Sequence, residues 1–241
     1  MKQHDAVIQA LEQLGGQSTL ADLYVETMKI KDCEWRTKTP FASIRRIVQT
    51  RPEIFRIRPG LWALRSYQKK LGLVEADKGD DIPEATQNSH TYYQGLLVTI
   101  GNFRGHLTFV PNQDKNRLFV NKPLAEIRSL QELPTFSYEF IVRKSESVDV
   151  IWFNERQMPH SFFEVEHSTD IHNSLIKFAD LQDFYSRMVI VADENRLREY
   201  EYKLEKTAFK EIKNRVKFLG YNALVKEYEH EVLKAAQPFS L

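Results

Sequence analysis

Residues 161–167, Ser-Phe-Phe-Glu-Val-Glu-His, set two carboxylates inside a β-prone apolar run, and few folds accept that. Successive side chains in a strand point to opposite faces, so Glu164 and Glu166 share one face while Phe163 and Val165 share the other. Carboxylates removed from water cost free energy unless a cation or hydrogen bonds compensate them. A second apolar run upstream, Val148-Asp149-Val150-Ile151-Trp152-Phe153, carries one early acid. An acid on one strand and a Glu-x-Glu pair on the next together offer oxygen ligands to a hard divalent cation. A metal-dependent enzyme is the leading expectation, and a solvated strand face is the bland alternative for the Glu pair.

With 241 residues the chain can form one large domain or two modest ones. No apolar run approaches the ~20 residues needed to span a bilayer, so no membrane association is expected. The opening Met1-Lys2-Gln3-His4-Asp5 lacks an apolar secretory core. Cys33 stands alone, which excludes a disulfide framework or a thiolate metal cluster and makes the cytoplasm the expected compartment.

The net charge of +1 hides an uneven distribution. Residues 1–67 hold 11 Lys/Arg against 7 Asp/Glu, a net of +4, and the remainder holds 23 against 26, a net of −3. Between 36 and 65 stand Arg36, Lys38, Arg45, Arg46, Arg51, Arg56, Arg58 and Arg65 against the single acid Glu53. Such a cluster suits a polyanion.

Three domain-scale segments follow: a first domain over 1–67, a charged linker over 68–90 and a second domain over 91–241. In the first, residues 4–14 place Val7, Ile8, Leu11 and Leu14 on one helical face, stopped by Gly15-Gly16. A second helix over 19–30 starts after a Ser18 cap and presents Leu20, Leu23, Tyr24 and Met28. The third starts at Thr39-Pro40, a cap followed by proline at the first helical position. Phe41, Ile44, Ile47 and Val48 form its apolar arc, opposite Thr39, Ser43, Arg46 and Thr50. Two short β-like runs, 54–57 and 61–64, are joined by Arg58-Pro59-Gly60.

Three helices and a hairpin, with a basic third helix, is the layout of a winged helix-turn-helix. Residues 1–65 more narrowly resemble the HARE-type helix-turn-helix family. The resemblance rests on Ala10-Leu11 through Gly15-Gly16, Leu20-Ala21-Asp22-Leu23, Thr39-Pro40, Ile44, Phe55-Arg56 and Gly60-Leu61-Trp62-Ala63-Leu64. It implies attachment to chromatin proteins or restriction-type nucleases. The expected contacts to double-stranded DNA are Arg36, Lys38, Thr39, Ser43, Arg45, Arg46, Thr50, Arg56 and Arg58. A winged helix used only for protein contacts is the alternative.

The second domain reads as a mixed α/β unit. Helical spacing runs from Tyr92 to Phe103, and strands are expected at 106–110, 136–142, 147–153 and 161–166. A helix over 172–185 follows, with Leu175, Phe178, Leu181 and Phe184 or Tyr185 as its buried stripe. Next comes a strand at 187–192, then helices or short strands to 235. A hairpin-connected run followed by a crossover to a parallel strand gives a mixed sheet.

That order, with acids on consecutive strands, resembles the PD-(D/E)XK nuclease superfamily over roughly residues 92–220. The resemblance implies Asp149 as the motif's Asp and Glu164 as the acid of its second half. Two departures stand out: Val148 occupies the usual proline position and Glu166 the usual lysine position. Glu in that position is known among restriction enzymes, where it is implied to assist the attacking water; loss of the Lys also occurs in inactive relatives. The metal would be Mg²⁺, with Mn²⁺ able to substitute, held by Asp149, Glu164 and the Val165 carbonyl. Asp149, Glu164 and Glu166 form the expected catalytic set. Accessory candidates are Lys177, as a relocated cation or a plain surface lysine; Gln94, on the first helix; and His167, as a phosphate contact or a turn residue. Ser168-Thr169-Asp170 is expected to cap the following helix.

Together these features point to a Mg²⁺-dependent, restriction-type endonuclease of duplex DNA. A separate reader domain leaves room for dependence on base methylation, and a palindromic target favours a homodimer. The alternative is a non-catalytic DNA-binding protein with a degenerate nuclease fold. An RNA or structure-specific nuclease is a third reading.

Overall fold

In the computed structural model two compact units are distinguished: Met1–Asp81 with Glu229–Leu241, and Ile82–Tyr228. The structure describes residues 1–35, 37–72, 83–167 and 170–236, with side chains described from Ser89 onward in the segment that begins at 83. Arg36, the pair Ser168-Thr169 and residues 73–82 of the stretch read as a linker lie outside the described residues.

The first unit opens with α1 (Gln3–Gln13), which buries Ala6, Val7, Ala10 and Leu11. Gly15 and Gly16 follow with φ of 82° and 89°, the left-handed region where a residue without Cβ ends a helix at least cost. A Cβ on Gly16 would lie 2.2 Å from the Tyr67 ring. Then come β1 (Gln17–Thr19), α2 (Leu20–Met28), α3 (Pro40–Thr50), β2 (Ile54–Arg58) and β3 (Leu61–Leu64). Ser18 is not the cap of α2. It lies within β1, and Thr19 Oγ1 accepts from the Asp22 amide at 3.1 Å. β1 itself escaped the sequence reading, because three residues are too few to display a period-2 pattern. It is held by antiparallel pairing, Gln17 with Ala63 and Thr19 with Leu61, giving the order β1-β3-β2. On α3, Ile44 and Val48 are buried and Phe41 and Ile47 pack against the same core.

The second unit begins with α4 (Pro83–Phe103), so the end of the stretch read as a linker is helical. Proline is favoured at a first helical turn, and Tyr92, Tyr93, Leu96, Leu97 and Ile100 supply the buried face. β4 (Leu107–Phe109), the small hairpin β5 (Leu118–Phe119) and β6 (Lys122–Pro123), and α5 (Leu124–Ile127) follow. Residues 136–142 are not a strand: α6 spans Glu139–Ser145. The alternation of Phe136, Tyr138 and Phe140 misled, since Tyr138 and Phe140 are exposed while Phe136 and Ile141 pack against the core. A Glu139–Arg143 pair spaced i,i+4 and Arg143-Lys144 in the last turn favour the helix.

β7 (Val150–Phe153), β8 (Pro159–Glu166), α7 (Ile171–Asp180), β9 (Arg187–Ala192), α8 (Leu197–Leu204), β10 (Val216–Gly220) and α9 (Tyr221–Ala236) complete the chain. α7 stops short of the expected 185, leaving Tyr185 fully exposed. The sheet order is β10-β9-β8-β7-β4. β4, β7 and β8 are antiparallel neighbours, whereas β8-β9 and β9-β10 are parallel. The architecture is α/β with a mixed sheet.

Ile151, Phe153 and Phe162 face Leu175 and Phe178 of α7 in one core. On the other side Trp152 donates its indole N–H to the Leu97 carbonyl of α4 at 3.1 Å. A fully buried Leu or Phe contributes about 1.5–3 kcal/mol. Several such side chains offset the cost of holding carboxylates in the same strands.

Candidate active site

Antiparallel pairing of β7 and β8 matches Val150 with Phe163, so the start of β7 lies beside the end of β8. That register places Asp149, one residue before β7, next to Glu164 and Glu166. The Val165 amide donates to Asp149 Oδ2 at 2.7 Å. Val165 thus contributes its N–H toward Asp149, where the sequence suggested its carbonyl as a metal ligand.

Glu164 and Glu166 are 2% and 4% exposed; their strand face is buried, not solvated. Alternation aims both at α7. The Ser174 hydroxyl lies 3.0 Å from Glu164 Oε2 and makes a short hydrogen bond to Glu166 Oε1. Lys177, one helical turn further on, donates from Nζ to Glu164 Oε2 and to the Ser147 carbonyl, each at 2.8 Å. The ammonium that faces Glu164 comes from α7. Glu164 Oε1 is buried and has no hydrogen-bond partner among the described residues.

Burial, followed by the Asp149 charge, holds the Glu164 carboxyl well above the usual carboxylate range, against the opposing pull of Lys177 and Ser174. Burial depresses the Lys177 ammonium, but the charge of Glu164 and its hydrogen bond outweigh that and raise it. A buried carboxylate with one oxygen unsatisfied and a second acid beside it fits a divalent cation, which would both satisfy that oxygen and favour ionisation.

On the α4 side stand His90 and Asp114, which the sequence reading did not single out, together with Gln94, which it did. His90 Nε2 lies 3.0 Å from Asp149 Oδ2. Burial lowers the His90 imidazole, yet the Asp149 hydrogen bond and the charges of Asp149 and Asp114 outweigh it and raise its pKa. Gln94 is fully buried and donates from Nε2 to Asp114 Oδ2 at 3.0 Å and to the Asp149 carbonyl at 3.1 Å. His90, Asp114 and Asp149 each offer one ligand atom, all within 4.8 Å of one another, so this trio is able to hold a metal ion. The readable signal was the spacing of His90 and Gln94, four residues apart on one helical face. Asp114 carried no such signal, because it comes from the loop between β4 and β5.

His167 is exposed. Its ring stacks on Tyr221 with centroids 6.3 Å apart, and Tyr221 Oη lies 3.5 Å from its Nδ1. Tyr221 Oη and Arg196 both donate to the Glu166 carbonyl, tying down the end of β8. Asp170 accepts from the His172 amide at 2.8 Å and caps α7.

The basic candidates belong to the first unit. Lys38, Thr39, Arg45, Arg46, Thr50 and Arg56 are exposed, and Ser43 and Arg58 are half-buried. Arg45 donates to Tyr24 Oη at 3.0 Å and to Glu229 at 2.7 Å. Arg56 Nε donates to the Arg58 carbonyl at 3.2 Å. No helix among the described residues is long and apolar enough to cross a membrane.

Comparison with known proteins bears on these residues. The Type II restriction enzyme NmeDI of Neisseria meningitidis serogroup C is 29% identical over 118 residues, 44% of this chain and 34% of that relative. The chain thus spans about a third of the length of the curated relative it matches. No solved structure matches the chain. The family model of the Type II restriction enzyme NmeDI C-terminal domain matches residues 73–238, which include His90, Asp114, Asp149, Glu164, Glu166 and Lys177, and the chain belongs to that family.

Proposed function

We propose that this protein is a metal-dependent, restriction-type endonuclease that hydrolyses phosphodiester bonds of duplex DNA. The second unit would act as a PD-(D/E)XK nuclease and the first as a HARE-type winged-helix reader. The carrying observation is the buried Glu164, with one oxygen unpartnered, the other on Lys177, and Asp149 at the adjoining strand end. Membership of a restriction-enzyme family makes nucleic-acid hydrolysis the natural use of such a site.

Asp149 and Glu164 hold the cation in this reading, Mg²⁺ by preference with Mn²⁺ as substitute, and Val165 completes the backbone at that point. When bound, the ion neutralises the phosphate and eases attack by water. Lys177 Nζ, one hydrogen bond from Glu164, supplies the positive charge that the family's usual lysine position lacks here. Glu166, joined to Glu164 through the Ser174 hydroxyl, accepts the proton of the attacking water. Gln94 orients Asp149 through its carbonyl. His167 stacks on Tyr221, whose hydroxyl donates to the Glu166 carbonyl, and in this reading it serves the end of β8.

Arg46, Lys38, Thr39, Ser43, Thr50, Arg45, Arg56 and Arg58 would contact DNA, largely through phosphates that fix position without reading bases. The reader leaves methylation dependence as a subtype, and a palindromic target calls for a homodimer. The degenerate-nuclease alternative rests on Glu166 in the lysine position; the Lys177–Glu164 contact supports the active reading instead.

The test incubates the purified protein with methylated and unmethylated duplex DNA, in Mg²⁺ or in chelator. Nicking in Mg²⁺ alone is expected, lost in Glu164→Ala with DNA affinity kept within about threefold. Absence of metal-dependent nicking on every substrate overturns the reading.

A further inference from the structure

The loop after β4 carries more than Asp114. Its backbone makes a turn in which the Asp114 amide donates to the Pro111 carbonyl at 3.0 Å, so Asn112 and Gln113 hold the two central positions. Both of these side chains are exposed, whereas Pro111 and Asp114 on either side are buried. The turn is anchored at both ends. On one side the buried Arg128 donates to the Val110 carbonyl at 2.7 Å and to the Gln131 carbonyl at 2.8 Å. On the other, the Gln94 amide nitrogen holds Asp114 and the Asp149 carbonyl together. A tip fixed in this way loses little freedom when it meets a ligand.

The turn lines a groove of about 580 Å³, whose other side is formed by Val142 and Arg143 of α6 and by Glu146 and Ser147 after it. Ser147 ties the groove to the candidate centre: it stands two residues before Asp149, and its carbonyl accepts from Lys177. The groove therefore runs beside the place assigned to the cation and the phosphate. Its own chemistry disfavours a phosphate chain. Two carboxylates, Glu132 and Glu146, line it with a single cation, Arg143, which Glu139 already pairs. Base edges suit it better. Carboxylates accept from cytosine N4, and apolar surface such as that of Phe109, Pro111 and Leu133 suits a thymine methyl.

The two amides at the tip differ in what they offer. Arg128 Nη2 lies 3.4 Å from Asn112 Oδ1. A guanidinium only donates, so that contact engages the oxygen of Asn112 and leaves its amide N–H groups for a ligand. Gln113 makes no side-chain hydrogen bond among the described residues and keeps both donor and acceptor. We propose that Gln113 reads adenine, pairing with its N6 and N7 in the major groove beside the scissile phosphate, while Asn112 donates to an acceptor on the neighbouring base pair. The assignment rests on the nuclease reading for the position of that phosphate. It adds base readout to a first unit whose expected contacts are largely to phosphates.

The test selects duplexes from a randomised pool with the full chain, by binding in chelator and by cleavage in Mg²⁺, and sequences what is recovered. The wild type should prefer adenine at one position of its site. Gln113→Ala should weaken that preference about tenfold or more and keep the preferences at positions further away. Gln113→Glu, nearly isosteric but an acceptor only, should move the preference from adenine to cytosine; it keeps the test decisive if the alanine variant fails to fold. Asn112→Ala should relax the adjoining position, and Arg46→Ala should weaken binding to all sequences alike. A wild type without base preference, or one whose preference is the same in Gln113→Ala and Gln113→Glu, overturns the proposal. The two readings fail separately. A protein that binds with a Gln113-dependent preference yet cleaves nothing keeps this contact and loses the nuclease. One that cleaves in Mg²⁺ with a preference indifferent to Gln113 does the reverse.

Discussion

The two units handle charge in opposite ways. In the first, most of the described basic side chains of 38–58 sit at the surface, and α3 is anchored by Ile44 and Val48 alone on its fully buried side. In the second, Glu164 and Glu166 are buried in a sheet, and their partners arrive from α7. A surface charge in water is cheap to keep and cheap to lose. A buried one is expensive in either state, so neighbouring residues must be built around it. Substitutions in the first unit should therefore act on ligand affinity with little effect on the fold, and those in the second on both together.

The contrast is sharpest at Lys177. Lys177→Met should lower cleavage at least about a hundredfold, the scale of losing one positioned charge at a reacting centre. It should also destabilise by about 1–3 kcal/mol, less than a fully buried pair because Nζ belongs to a side chain 31% exposed. Lys177→Arg should recover part of both. Cleavage and thermal melting together decide; a Met variant with normal turnover removes α7 from the mechanism and erases the contrast.

Next in size is a pH effect on the metal-free protein. Burial and the Asp149 charge raise the Glu164 pKa in the folded state. A raised carboxylate pKa contributes stability fully present below the unfolded value of about 4.3, and lost as pH rises through the folded value. In chelator, Glu164→Gln should therefore gain in melting temperature relative to the wild type as pH goes from about 4 to 8. A difference independent of pH would show that Glu164 keeps an ordinary pKa.

The smallest effect belongs to the first unit. Arg46→Ala should weaken DNA binding roughly fivefold, flatten the salt dependence by about one phosphate contact, and move stability by less than about 0.5 kcal/mol. Unchanged affinity takes α3 out of the interface; a large loss of stability would break the comparison itself.

Legibility in the sequence followed locality. Pro40 marked the start of α3 because a first-turn proline acts within a few residues, whereas Thr39 before it makes no side-chain cap hydrogen bond. The β2–β3 hairpin was visible through Gly60, whose φ of 76° needs glycine at the turn. The acids Asp149, Glu164 and Glu166 stood out as charges in apolar runs. Residues 136–142 misled because Phe136, Tyr138 and Phe140 alternate, and only exposure reveals that two of them never enter a core. Ser174 and Asp114 were invisible. One is a small polar residue mid-helix and the other a loop acid, and neither has meaning until the strands and α4 stand beside it.

By itself, the sequence determined the three helices and the hairpin of the first unit, that the amino-terminal third is basic, and that strand-borne carboxylates need compensation, since each depends on neighbours a few residues apart. Only the tertiary structure decided how that compensation is made. The sheet register joins Asp149 to the end of β8, α7 brings Ser174 and Lys177 onto the Glu pair, and α4 with the loop after β4 sets His90 and Asp114 on the far side. Electrostatic energy in a low-dielectric interior depends on distance through space, and the chain contains that distance only once it is folded.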